Sequence, residues 1–168
     1  MSLHFFDTCA IKHRYIGSPH ARQVDRVVLD KKIESYIADL TVLEICSALG
    51  GACRTQKKGV KEYDAMDHRF LTDIADGTIK VRPTNKLNVI RARSLLRYGG
   101  VIKGRNLGSG DALIASCCLD LAHDKKERIT FNTADWNLYR ILREIDAFTA
   151  AMTLQFILPP KHGIPART

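Results

Sequence analysis

Five short apolar runs, each followed by a segment of helical spacing, constrain the fold of this chain more than any other feature. The runs are LHFF (3–6), YIADL (36–40), TIKVR (78–82), RITFN (128–132) and LQFIL (154–158). Helical patterns fill the intervals over roughly 42–54, 60–75, 86–98, 110–123 and 135–145, with one helix or a pair of helices inside 9–34. Strand then helix, repeated, predicts an α/β protein with a parallel sheet covered on both faces. Segment 110–123, GDALIASCCLDLAH, is apolar nearly all round, as a helix packed in the middle of a domain should be.

The chain of 168 residues has the length of one domain, expected over 1–160, with KHGIPART (161–168) as a short tail. It carries 26 Lys and Arg against 18 Asp and Glu, a net charge of +8 that favours an anionic partner such as nucleic acid. The five cysteines (Cys9, Cys46, Cys53, Cys117, Cys118) include an adjacent pair and no CxxC, which argues against a secreted disulfide framework or a zinc ribbon. His4 and Asp7 interrupt the apolar run that a signal peptide would need, and no stretch approaches a membrane span. A soluble, cytoplasmic protein with no membrane partner is expected.

The sequence is most informative in where certain carboxylates fall. Asp7 ends the first apolar run, Glu44 follows the second by one turn, and Asp135 follows RITFNTA. In open parallel sheets the ligand crevice forms outside the carboxyl ends of the strands, so acids placed there converge although remote in sequence. Asp111, in GSGDALIAS, opens the most apolar helix and is the natural fourth member. Asp120 and Asp124 fall on other parts of that helix and read as exposed charges.

Each acid also has a plain explanation. Thr41 with Glu44 fits a capping box, Asp7 can cap a helix starting at Thr8, and Asp111 and Asp135 suit the positive end of a helix dipole. Magnitudes separate the two readings. Two carboxylates about 4 Å apart repel by about 4 kcal/mol at an effective dielectric near 20. A helix amino terminus returns only about 0.3–1 kcal/mol per acid. A converged cluster must therefore take up protons or bind a divalent cation, and oxygen-only ligands select Mg²⁺ or Mn²⁺.

The segments FFDTCAIKHRY, LTVLEICSAL, LGSGDALIAS and ITFNTADWNL, in that order, resemble the PIN-domain nucleases over residues 3 to about 140. The resemblance implies a three-layer α/β/α PIN-like fold with a five-stranded parallel sheet, and a Mg²⁺- or Mn²⁺-dependent endoribonuclease. Matched by position, Asp7, Glu44, Asp111 and Asp135 correspond to the acidic quartet, with Asp7 and Asp111 as the leading metal ligands, and Thr133 to the hydroxyl residue before the last acid. Among bacterial and archaeal members the chain is most similar to the VapC-type toxins of type II toxin–antitoxin pairs. That similarity implies a cognate antitoxin and a homodimer. Cys9 stands where many relatives carry Ser or Thr, and 15–34 adds little motif support.

On this reading Asp7 and Asp111 hold the metal, Asp135 binds it through water or holds a second ion, and Glu44 orients or deprotonates the attacking water. Thr8 and Thr133 are hydroxyls that steer these groups. RNA, single-stranded or in a structured loop, needs compensating cations. Lys86, Arg91, Arg93, Arg97, Lys103 and Arg105 precede Asp111 with no acid among them, and Arg54, Lys57, Lys58 and Lys61 follow the Glu44 helix. Tyr98 and Trp136 are candidates for base stacking.

Other chemistries find less support. Cys9 and His13 share a helical face but no second pair joins them, and no HExxH occurs. Gly104, Gly108 and Gly110 form neither GxGxxG nor a Walker sequence, and read as a flexible lead-in to Asp111 with Ser109 as helix cap. The DxD of haloacid-dehalogenase-type phosphatases is missing, because Cys9 occupies its second acidic place. The alternatives to a toxin are a non-catalytic PIN-like module that binds RNA or protein, and an RNA-processing nuclease.

Overall fold

The computed structural model describes residues 1–102, 104 and 106–157. The expected tail (161–168), Leu158 at the end of the last apolar run, and Lys103 and Arg105 lie outside the described residues. In chain order come β1 (Ser2–Phe6), α1 (Thr8–Ile11), a 3-10 turn (Lys12–Arg14), α2 (Ala21–Val28), β2 (Ile33–Ala38) and α3 (Asp39–Gln56). Then follow α4 (Val60–Ala75), β3 (Ile79–Arg82), α5 (Lys86–Arg97), a π-helical turn (Tyr98–Ile102) and α6 (Ser109–Lys125). β4 (Ile129–Thr133), α7 (Trp136–Leu142), α8 (Asp146–Ala151) and β5 (Met152–Phe156) complete the domain.

The five strands form one parallel sheet in the order β3-β2-β1-β4-β5. Period-two alternation sends side chains to both faces, and each face has its own core. Leu3, Phe5, Tyr36, Ala38, Ile129 and Phe131 pack under α5, α6, α7 and α8. Phe6, Ile37 and Ile79 pack under α1, α2, α3 and α4. This is the expected three-layer α/β/α architecture. α6 is buried through most of its length, including Cys117 and Cys118.

Several boundaries differ from expectation. β2 begins at Ile33 because parallel pairing with β1 sets Ser2 against Ile33, and it ends at Ala38, so Asp39 and Leu40 start a longer α3. β5 begins two residues early, where Met152 pairs with Ile129. The helix expected over 135–145 is present but shorter: α7 stops at Leu142 and α8 starts separately at Asp146, which lets Phe148 join Leu138 and Leu142 in one core. At ~100° per residue, a continuous helix would have turned Phe148 some 80° away from Leu138.

A buried ionic cluster fastens the α2 and α4 side. Arg14 reaches Asp73 through Nε at 2.8 Å and Nη2 at 3.1 Å, pairs with Asp25, and shares Asp73 with the Tyr15 hydroxyl at 2.8 Å. Among the described residues no helix is long and apolar enough to cross a membrane.

Candidate active site

Asp7 leaves β1 fully buried, in an extended conformation (φ −79°, ψ 168°) that makes it the cap of α1. Its Oδ1 accepts from the Ala10 N–H at 2.7 Å, and its Oδ2 accepts from the Thr133 hydroxyl. The same Thr133 oxygen accepts from the Asp135 N–H at 3.0 Å. One hydroxyl thus ties the carboxyl ends of the paired strands β1 and β4.

The other acids arrive on helices. Asp135 caps α7, its Oδ1 accepting from the N–H groups of Asn137 and Leu138 at 2.7 and 2.9 Å. Asp111 stands in the first turn of α6 and accepts from the backbone N–H of Gly108, the residue capping that helix. Glu44, on α3, accepts from the Thr8 hydroxyl. Asp39 lies nearer the end of β2 but turns to Thr84, accepting from its N–H at 3.0 Å.

Each acid therefore makes local hydrogen bonds, and the four also act on one another. Burial above all, with the charges of Asp111 and Asp135, pushes Asp7 up to about 7 against the pull of the Thr133 and Ala10 hydrogen bonds. Burial, then the charges of Asp135 and Glu44, raises Asp111 to about 6. Capping alone requires no such gathering: α4 starts on the same device, with the exposed Gly59 N–H donating to Glu62 at 3.0 Å. Cys9 stands beside the acids, and burial followed by the charge of Asp7 pushes its thiol up to about 12, so the group is neutral. Among the described residues no three His, Cys, Asp or Glu side chains already close around one point as metal ligands do.

No protein-family model matches the sequence, and no curated protein sequence matches it either. Solved structures do match. VapBC2 from Rickettsia felis, bound to a DNA fragment from its promoter, aligns with a TM-score of 0.60 at 13% identity, covering 91% of this chain and 98% of that one. FitAcB from Neisseria gonorrhoeae aligns at 0.55 and 16% identity over 89% of this chain and 95% of that one. VapBC-5 from Mycobacterium tuberculosis, of the VapBC family of toxin–antitoxin systems, aligns at 0.52 and 14% identity over 93% and 99%. The chain has the fold of a VapC-type PIN domain.

Within this PIN fold, Asp7, Thr8, Glu44, Asp111, Thr133 and Asp135 meet at the carboxyl end of the sheet. Lys86, Arg93 and Arg97 are exposed along α5. Trp136 stacks on Tyr139 at 5.4 Å and meets Phe156 edge-on, so its role is packing at least in part. Four local readings are corrected. The Thr41–Glu44 capping box does not form, because α3 begins at Asp39; Thr41 is buried, its hydroxyl without a hydrogen bond among the described residues. Ser109 is the first helical residue and Gly108 the cap. Asp120 is buried, held by Arg82 and Arg91 at 3.0 and 3.1 Å, which also removes Arg91 from the basic run. Gly108 and Gly110 are not a flexible lead-in: a Cβ on Gly108 would stand 2.7 Å from Asp111 Oδ2, and one on Gly110 would collide with Glu44 Oε1.

Proposed function

We propose that this chain is a divalent-metal-dependent endoribonuclease and the toxin member of a toxin–antitoxin pair. The observation that carries the reading is the meeting of four carboxylates from four separate segments, two of them with pKa values raised towards neutrality. Such a cluster is balanced by protons or by a cation. The donor set is oxygen throughout, with Cys9 held as a neutral thiol, and this suits Mg²⁺ or Mn²⁺ rather than a softer metal.

Asp7, Asp111 and Asp135 would hold the ion, with Glu44 at its edge. When bound, the ion supplies charge neutralisation at the phosphate and a more acidic water. Thr133 fixes Asp7 and the Asp135 backbone, so both carboxylates are placed before substrate arrives. Thr8 holds one oxygen of Glu44 and leaves the other to take a proton from water. That water's oxygen forms the new bond to phosphorus and the P–O3′ bond breaks. The leaving O3′ takes up a proton from solvent and ends as the 3′-hydroxyl of the upstream fragment, and the phosphate stays on O5′ as the 5′-phosphate of the downstream fragment.

The similar solved structures are toxin–antitoxin complexes, which supports an antitoxin partner for this chain. The exposed cations of α5 support a polyanionic substrate. The test is purified protein with labelled single-stranded RNA and Mg²⁺ or Mn²⁺. Cleavage stopped by EDTA and lost in Asp111→Asn supports the nuclease; RNA retained without cleavage identifies a binding module. Growth arrest on expression, relieved by Asp111→Asn, distinguishes a toxin from an RNA-processing enzyme.

A further inference from the structure

We infer that Gly110 is a positioning residue of the acidic site, because only a residue without a Cβ lets Glu44 set its carboxylate against the first turn of α6. The inference rests on the nuclease reading of that site. Gly110 stands in the first turn of α6, where it has no need of a glycine backbone: among the described residues the glycines with positive φ are Gly17, Gly77 and Gly104. Helix propensity would favour Ala there. What excludes Ala is the neighbour. An added Cβ would overlap Glu44 Oε1 and approach Glu44 Cδ at 3.5 Å, while Leu40 Cδ2 at 3.6 Å is an ordinary contact.

The collision falls on the end of a flexible side chain, so the fold absorbs it and Glu44 moves instead. It cannot move without consequence. Its other oxygen, Oε2, accepts the Thr8 hydroxyl, and Thr8 sits one residue from Asp7. Displacing Oε1 therefore turns the carboxylate out of the Thr8 hydrogen bond and away from Asp111, whose charge it faces. Gly110 thereby sets the spacing between Glu44, the proposed proton acceptor, and the carboxylates proposed to hold the ion. Glycine at this position is explained by a function carried on another helix.

The experiment compares wild type, Gly110→Ala, Glu44→Asp, the double variant and Ser109→Ala, an exposed neighbour on the same turn. Readouts are melting temperature, Mn²⁺ affinity by calorimetry, and kcat and KM for single-stranded RNA. Gly110→Ala is expected to keep or raise the melting temperature, lower kcat at least tenfold with KM within about twofold, and weaken Mn²⁺ binding. Glu44→Asp, one methylene shorter, is expected to impair the wild type yet restore the Gly110→Ala chain several-fold, and Ser109→Ala to behave as wild type. Unchanged kcat and Mn²⁺ affinity in Gly110→Ala, or no recovery in the double variant, overturns the inference while leaving the nuclease reading intact. A Gly110→Ala chain that unfolds and is not refolded by Glu44→Asp overturns it as well. A wild type that neither cuts RNA nor binds Mn²⁺ overturns the nuclease reading, and the role of Gly110 with it.

Discussion

The Thr133 hydroxyl donates to the buried carboxylate of Asp7, from the end of one central strand to the end of its neighbour. That hydrogen bond works against the burial that raises Asp7, and the same oxygen receives the Asp135 N–H.

Thr133→Val keeps the shape of the side chain and removes both roles. Asp7 then retains only the Ala10 N–H, and the Asp135 N–H loses its acceptor. The expected cost is about 1–3 kcal/mol of stability in urea unfolding, with a fall in kcat of tenfold or more. Thr133→Ser, which keeps the hydroxyl, should retain most of both. Equal losses in Val and Ser would show that packing rather than hydrogen bonding is at stake.

Stability of the metal-free protein should fall as pH rises. Asp7 and Asp111 are raised from an ordinary 3.8 to about 7 and about 6, so the folded state holds their protons more tightly than the unfolded chain. The stabilisation is fully present below the unfolded value and is lost as pH passes through the folded ones. In EDTA, Asp7→Asn should flatten the decline in melting temperature between about pH 4 and pH 8. Mg²⁺ should raise the melting temperature most at the alkaline end, where both carboxylates are ionised. A wild-type melting temperature that climbs across this window in EDTA would contradict the account.

The sheet and its covering helices were legible because strand and helix periodicities differ, and the acids were legible because a parallel sheet sends its strand ends to one side. What escaped the sequence was set by contacts between remote segments. Pairing with β1 moved the start of β2 to Ile33. Asp120 reads as a surface charge until Arg82 and Arg91, brought by β3 and α5, are seen to bury it. Gly110 reads as flexibility because its reason lies on Glu44, a neighbour in space alone. A glycine opening an otherwise strongly helical segment, directly before Asp111, was the one signal that could have marked it.

Two acids on α6 should separate function from stability. Asp120 accepts from Arg82, Arg91 and Asn85; burial works to raise its pKa, but the Arg82 contacts hold it below the usual range. Asp120→Asn takes the carboxylate from Arg91 and leaves Arg82 with Asp124 alone, and should cost about 1–3 kcal/mol, with cleavage per folded molecule unchanged. Asp111→Asn removes a carboxylate crowded by others, so it should raise the melting temperature of the metal-free protein while abolishing cleavage. Chemical denaturation and single-turnover cleavage on both variants measure the contrast. Loss of cleavage in folded Asp120→Asn would place this acid in the chemistry after all.

Lys86, Arg93 and Arg97 stand exposed on α5, within about 40° of one line at ~100° per residue. A solvated face and a phosphate track look alike in a bare chain, but they respond differently to salt. Each phosphate neutralised on a single strand releases counterions and contributes roughly 0.7 to the slope of log affinity against log salt. If all three cations track RNA, replacing them with Ala should lower that slope by about 2 and raise KM for RNA, with kcat little changed because the acids are untouched. A solvated face predicts the wild-type slope and KM. The slope is the deciding quantity, since a fold disturbed by the substitutions would alter affinity without removing counterion release in proportion to the charges deleted.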